Sequence, residues 1–306
     1  MLLFSFMIIR LYLTNQIVIM KIKLLILALC FPLLSLAQTH YKIYNTATQK
    51  EATLDDIVNH MAKADVLFFG EEHNNSIVHT LELALLTKLT EKYTDKITLS
   101  LEMFETDTQP IIDEYLNNLI REKNLISDAR AWPNYKDYRP MVELAKQKHL
   151  PVIAANAPGR YTNRVTRLGL NSLEQLNTSA KNWLPPLPID TATGAYYNKF
   201  VDVMGGHAGM GGMQIYQSQN LWDATMAWSI AKYLKAHPNS KVMQVNGGFH
   251  SEDKLGAAAQ LKKYAAAARI INVATFTVAN INEVEWSKYE NNDYIIVTDG
   301  TLPKSY

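Results

Sequence analysis

Two hydrophobic patterns alternate along this chain, and the alternation constrains its fold more than any single motif. Short, nearly continuous apolar runs at residues 66–69, 97–104, 151–155, 241–245, 269–276 and 294–298 have the length of buried strands. Between them, helical periodicity covers 54–62, 77–93, 110–117, 140–148, 221–236 and 254–264. Strands separated by helices of this length pair in parallel, with helices covering both faces of the sheet. The predicted fold class is therefore α/β, with a mainly parallel central sheet flanked by helices. One stretch, 158–219, holds no convincing strand. It reads as a small inserted helical lobe, with helical pieces at 160–168 and 172–183 and a proline cluster at Pro185, Pro186 and Pro188.

In an open parallel sheet, ligands bind outside the carboxyl ends of the strands. Four predicted strand ends here are polar: Gly70-Glu71-Glu72-His73-Asn74-Asn75, Glu102-Met-Phe-Glu105, Asn156-Ala-Pro158 and Asn246-Gly-Gly-Phe-His250. Two share the form Gly-x-x-His, at Gly70/His73 and Gly247/His250. Glycine lets the chain turn off the strand, and the histidine then points back over the sheet. Glu102 follows an almost apolar strand, so a buried charge there needs a partner such as His73, His250 or an arginine. Glu72, His73, Glu102 and His250 are thus a candidate acid–base set, and His73, Glu102 and His250 a candidate site for a divalent metal ion.

Other residues suit a larger ligand. Arg160, Arg164 and Arg167 share one helix face and can grip propionates, phosphates or carboxylates. The run from Met204 to Met213 contains five glycines and three methionines, a composition suited to closing over a flat apolar ligand. His207, Tyr196, Tyr197 and Tyr216 are the nearby groups able to reach a metal centre. Gln219 and Asp223 lie one helical turn apart and line the same cleft or cap a helix. His40, His60, His79, His149 and His237 read as surface or helix-end residues.

The N-terminus carries Arg10, Lys21 and Lys23 and no acid before residue 38. From Met20 it follows the order of a secretory signal: basic residues, an apolar run from Leu24 to Leu34, then Ser35-Leu-Ala37. Residues 1–37 are expected to be a signal peptide with its start at Met20 and cleavage after Ala37; the alternative is a retained membrane anchor. The expected location is exported, in the periplasm or against the outer membrane. Cys30 is the one cysteine and is preceded by Leu29, which speaks against lipidation. The remaining domain, 38–306, has no cysteine for a disulfide or thiolate site. Its formal charge of −2 argues against a nucleic-acid partner.

As a set, these residues resemble a known family. Gly70-Glu-Glu-His-Asn, Leu101-Glu-Met-Phe-Glu105, Trp132-Pro with Tyr138-Arg-Pro140, Pro151-Val-Ile-Ala-Ala-Asn-Ala-Pro158, Gln219 with Asp223 and Met226-Ala227, and Gly247-x-x-His250 are similar, in order, to the ChaN-like haem-binding uptake proteins of the Tiki/erythromycin-esterase superfamily. The resemblance implies an α/β core with a small helical lobe and binding of haem (heme b) linked to iron uptake. It also implies a homodimer that sandwiches haem, and work beside a haem receptor or transporter. A tyrosine is then expected to ligate iron, with a partner-subunit histidine near the propionates. Tyr216 and His207 are the first candidates, Tyr196 and Tyr197 the next, with Arg160 and Arg164 toward the propionates. The wider superfamily supplies the rival, a metal-dependent protease or esterase using Glu72, His73, Glu102 and His250. A third reading is a binding protein that retains the fold alone.

Overall fold

The structure is a computed structural model that describes residues 40–205 and 213–306. The expected signal segment 1–37 and His207 lie outside the described residues. Eight strands form one sheet: β1 (Tyr41–Asn45), β2 (Lys50–Ala52), β3 (Val66–Glu71), β4 (Ile97–Glu105), β5 (Val152–Asn156), β6 (Lys241–Gly247), β7 (Ile270–Val278) and β8 (Tyr294–Asp299). Their order is β2-β1-β8-β7-β3-β6-β4-β5. The six strands from β8 to β5 are parallel, as the alternation predicts. The antiparallel strands β1 and β2 extend the β8 edge. They escape sequence reading because Ile43 is the sole buried residue between them, so they carry almost no hydrophobic pattern.

The helices are α1 (Leu54–His60), α2 (Ser76–Lys92), α3 (Gln109–Leu116), α4 (Glu122–Asp128), α5 (Tyr135–Lys148), α6 (Gly159–Leu168), α7 (Thr178–Lys181), α8 (Ala195–Val203), α9 (Ile215–Ala236) and α10 (Gly256–Tyr264). Strand parity decides what each covers, because successive side chains leave opposite faces. Leu67 and Phe69 of β3, with Leu99 and Leu101 of β4, join Leu85, Leu89, Tyr138 and Val142 of α2 and α5. Val66 and Phe68 join Met226, Ala227 and Ile230 of α9 and Leu261 of α10. Each such large apolar side chain stabilises the fold by about 1.5–3 kcal/mol when fully buried.

Two helices start earlier than expected. Pro140 suggests a first-turn position, yet α5 begins at Tyr135 and carries Pro140 inside. The buried stripe Tyr135, Tyr138, Met141, Val142 and Ala145 outweighs the backbone hydrogen bond that proline cannot donate. Helix α9 begins at Ile215 rather than 221, because its polar first turns are buried and satisfied. Ser218 donates to Thr162 O, and Asn220 Nδ2 to Tyr216 O.

Among the described residues, the stretch between β5 and β6 is helical and contains no strand. Its apolar side chains, including Tyr161, Val165, Leu173 and Ile189, pack on Leu221 and Ala224 of α9. The second half of α9 lies on the sheet, so the insert is continuous with that helical layer. Residues 40–306 form one unit, and no separate lobe is delimited. No helix among the described residues is long and apolar enough to cross a membrane.

Candidate functional site

Strand β3 extends two residues beyond its apolar run, and parity then decides which glutamate faces the site. Glu71 follows Leu67 and Phe69 onto the α2/α5 face and is buried. Its Oε1 lies 2.8 Å from His73 Nδ1 and accepts from the Tyr138 hydroxyl at 2.8 Å. Glu72, one of the two carboxylates of the candidate acid–base set, turns away toward β7, where it accepts from Thr277 N at 3.1 Å. Glu71, not Glu72, is therefore the carboxylate that orients His73. Burial disfavours a charged His73, but the hydrogen bond to Glu71 and the charges of Glu102 and Glu71 prevail and raise its pKa.

His79, read from sequence as a surface or helix-end residue, lies in the first turn of α2, which the Asn75 side chain caps, but it is buried rather than at the surface. Its Nε2–H donates to His73 O at 3.0 Å, and its Nδ1 lies 3.3 Å from Glu71 Oε2 and 3.1 Å from Glu82 Oε2. Burial and the adjacent charge of Glu71 push the Glu82 carboxyl well above the usual range. His79 and Glu82 are three residues apart, a spacing that places them on one helix face. That spacing was the sequence signal available.

On the other face, Glu102 follows Thr98 and Ser100 toward α9. Glu102 Oε2 accepts from Gly247 N at 2.7 Å, and Oε1 lies 3.4 Å from His250 Nε2. His250 Nδ1–H donates to Asp223 Oδ1 at 2.7 Å. Asp223 Oδ2 also accepts from the Tyr196 hydroxyl, which accepts from Gln219 Nε2 at 3.1 Å. Gln219 and Asp223 are thus parts of this buried network. Burial alone lowers an imidazole, but Glu102 and Asp223 on either side raise His250 to about 10. Burial alone raises a carboxyl, but His250, His73 and the Gly247 N–H hold Glu102 at about 2. For Asp223 burial prevails and raises the pKa.

The structure thus brings His73, Glu102 and His250 around Gly247. An ideal Cβ at position 247 would stand 2.7 Å from His73 Nε2 and 3.7 Å from Glu102 Oε2. Both His250 ring nitrogens face carboxylates, Nδ1 toward Asp223 and Nε2 toward Glu102. Among the described residues, the three-residue set with donor atoms close enough for one ion is Glu71, His79 and Glu82.

The tyrosines lie together but differ in access. Tyr196, Tyr216 and Phe200 form an apolar cluster with Phe249 beside it. The Tyr216 hydroxyl donates to Ala192 O at 2.7 Å, and burial raises its pKa. Burial and Asp223 raise Tyr196 strongly, so forming its phenolate is costly. Tyr197 packs edge-on to Tyr216, with ring centroids 5.1 Å apart, and is 44% exposed. Arg160 pairs with Asp107, which Arg130 shares, while Arg164 is tied to Ser172 O and Gln175.

The fold has a known counterpart. The ChaN of Campylobacter jejuni, in a structure with cofacial haem, matches with a TM-score of 0.64 and 18% identity. That match covers 86% of this chain and 98% of that one. An erythromycin esterase in its open conformation matches with a TM-score of 0.44 and 9% identity, over 78% of this chain and 77% of the other. No curated protein matches the sequence. The family described as "Haem-binding uptake, Tiki superfamily, ChaN" matches residues 57–261, two thirds of the chain. By that match the protein belongs to the ChaN family of haem-binding uptake proteins within the Tiki superfamily.

Proposed function

We propose that this protein is an exported, non-enzymatic haem-binding protein of haem or iron uptake, held in the periplasm or against the outer membrane. Family membership carries the reading. The donor chemistry of the α8/α9 region fits it. Tyr197 offers an accessible phenol beside the Tyr196, Phe200 and Tyr216 cluster, and exposed Val203 and Met213 flank the glycine-rich run. Bound haem would supply an iron centre that a phenolate or imidazole of this chain would hold. Tyr197 can serve without unpacking the core, whereas Tyr216 and Tyr196 must first give up their hydrogen bonds. His207 is the imidazole candidate, and Arg160, half exposed, has N–H donors for a propionate. The reading includes a homodimer closing on haem and delivery to a receptor or transporter.

A haemin titration of the chain from Gln38 onward tests this reading, with absorbance and molecular size as readouts. Support is a saturable Soret shift at micromolar haemin, with a monomer-to-dimer transition. Absence of a Soret shift removes the haem reading.

One observation favours a second function, hydrolysis. Glu71 and His73 form a carboxylate–imidazole pair, and the His73 side chain is 35% exposed, so its ring can meet a substrate. This arrangement suits a general base. Turnover lost in His73→Ala and kept in Tyr197→Phe supports it.

A further inference from the structure

We propose that Glu71, His79 and Glu82 form a buried structural site for one divalent cation of the zinc class. The hydrogen-bond chemistry of His79 leads there. Its Nε2 faces the carbonyl of His73 at 3.0 Å, and a carbonyl can only accept, so Nε2 carries the proton. In a neutral ring Nδ1 then presents a lone pair toward two carboxylate oxygens. Acceptor atoms converging in a buried space need a cation between them, either a proton, as the raised Glu82 carboxyl holds, or a metal ion.

Two independent features fit a metal ion. Glu71 Oε2 and Glu82 Oε1 are buried and accept no hydrogen bond, although Glu71 and Glu82 are side chains with no solvent exposure. On Glu71, Tyr138 and His73 engage Oε1 and leave Oε2 for the cation. The spacing also fits. Bonds of about 2.0–2.1 Å in a tetrahedron imply donor separations of about 3.3 Å. His79 Nδ1 stands 3.3 Å from Glu71 Oε2 and 3.1 Å from Glu82 Oε2. The Nε2–H to carbonyl bond is the usual outer contact of a metal-bound histidine, fixing its tautomer and orientation. Such an ion ties the end of β3 to α2 and holds Glu71 in place behind His73. The site touches the His73, Glu102 and His250 set through the Glu71–His73 hydrogen bond and the His73 carbonyl, and does not depend on haem binding.

The full mature chain, purified and stripped with a chelator, is titrated with zinc and, separately, with manganese. Metal content and thermal unfolding are measured. The expected result is about one zinc bound per chain and a rise in Tm of several degrees, since binding to the native state alone stabilises it. Glu82→Gln, which keeps the shape and removes the charge, lowers zinc affinity at least tenfold; His250→Ala and Tyr197→Phe retain it. X-ray absorption on wild-type protein shows one imidazole among oxygen donors, a readout independent of any variant's folding. Failure of wild type to bind either metal, with no change in Tm, overturns the proposal and leaves a proton as the cation. Unchanged zinc affinity in Glu82→Gln overturns it equally, whatever the haemin titration gives.

Discussion

The ring of His73 fills the space into which a side chain at position 247 would grow, with His73 Nε2 2.7 Å from the Cβ position of Gly247. The two Gly-x-x-His turns are therefore packed against each other. Gly247→Ala should drive the His73 ring outward and destabilise the protein by about 1–3 kcal/mol, the usual range for overpacking. Urea denaturation checks the value. In His73→Ala the same change should cost less, and a double-mutant cycle showing no coupling would remove the contact from the account.

The adjacent glutamates should behave differently. Glu71→Ala removes a buried acceptor from Tyr138 and from the part-exposed His73, and leaving a buried donor unsatisfied costs about 1–3 kcal/mol. Glu72→Ala loses a partly exposed contact to Thr277, at about 1 kcal/mol or less. Equal losses in the two variants would contradict the observed end of β3.

Stability should peak in mildly acidic solution. His250 rises from 6.5 to about 10 on folding, so its contribution is complete below pH 6.5 and is lost as pH climbs toward 10. Glu102 falls from 4.5 to about 2, so its contribution is complete above pH 4.5 and is lost as pH drops toward 2. Asp223, raised by burial, acts against the Glu102 trend at the acid end. Urea midpoints between pH 5 and 10 should therefore decline on the alkaline side, and His250→Gln should flatten that decline. A wild-type midpoint unchanged from pH 6 to 9 would refute the imidazolium assignment.

Gly256 supports His250 from behind. Its φ is +52°, and a Cβ there would lie 2.5 Å from His250 O and 3.1 Å from Asp223 Oδ1. Gly256→Ala combines left-handed strain with a backbone clash and should cost about 1–3 kcal/mol or more. Thermal unfolding measures it, and a change within 0.5 kcal/mol would show that the turn relaxes freely.

Haemin binding should rank the tyrosines by access. Tyr197→Phe is expected to weaken affinity at least tenfold and alter the visible spectrum. Tyr196→Phe is expected to act mainly on stability, because its hydroxyl donates to Asp223 in the interior. Spectra unchanged in Tyr197→Phe and changed in Tyr216→Phe would move the ligand to the first turn of α9.

The alternation of apolar runs by itself determined the parallel sheet, since helix-length connections exclude hairpins. The carboxyl-end rule likewise located His73, Glu102 and His250 at one edge, because strand ends are local in sequence. Only tertiary structure decided between Glu71 and Glu72. They are adjacent, and a single step of strand extension sends one to the core and the other to β7. The same holds for His79, which becomes an interior residue because Glu71 and Glu82 meet it there. The charge state of His250 depends on Glu102 and Asp223, 148 and 27 residues away in the chain. Periodicity records which residues prefer burial; which polar groups meet inside is set by packing between distant elements, which no local pattern encodes.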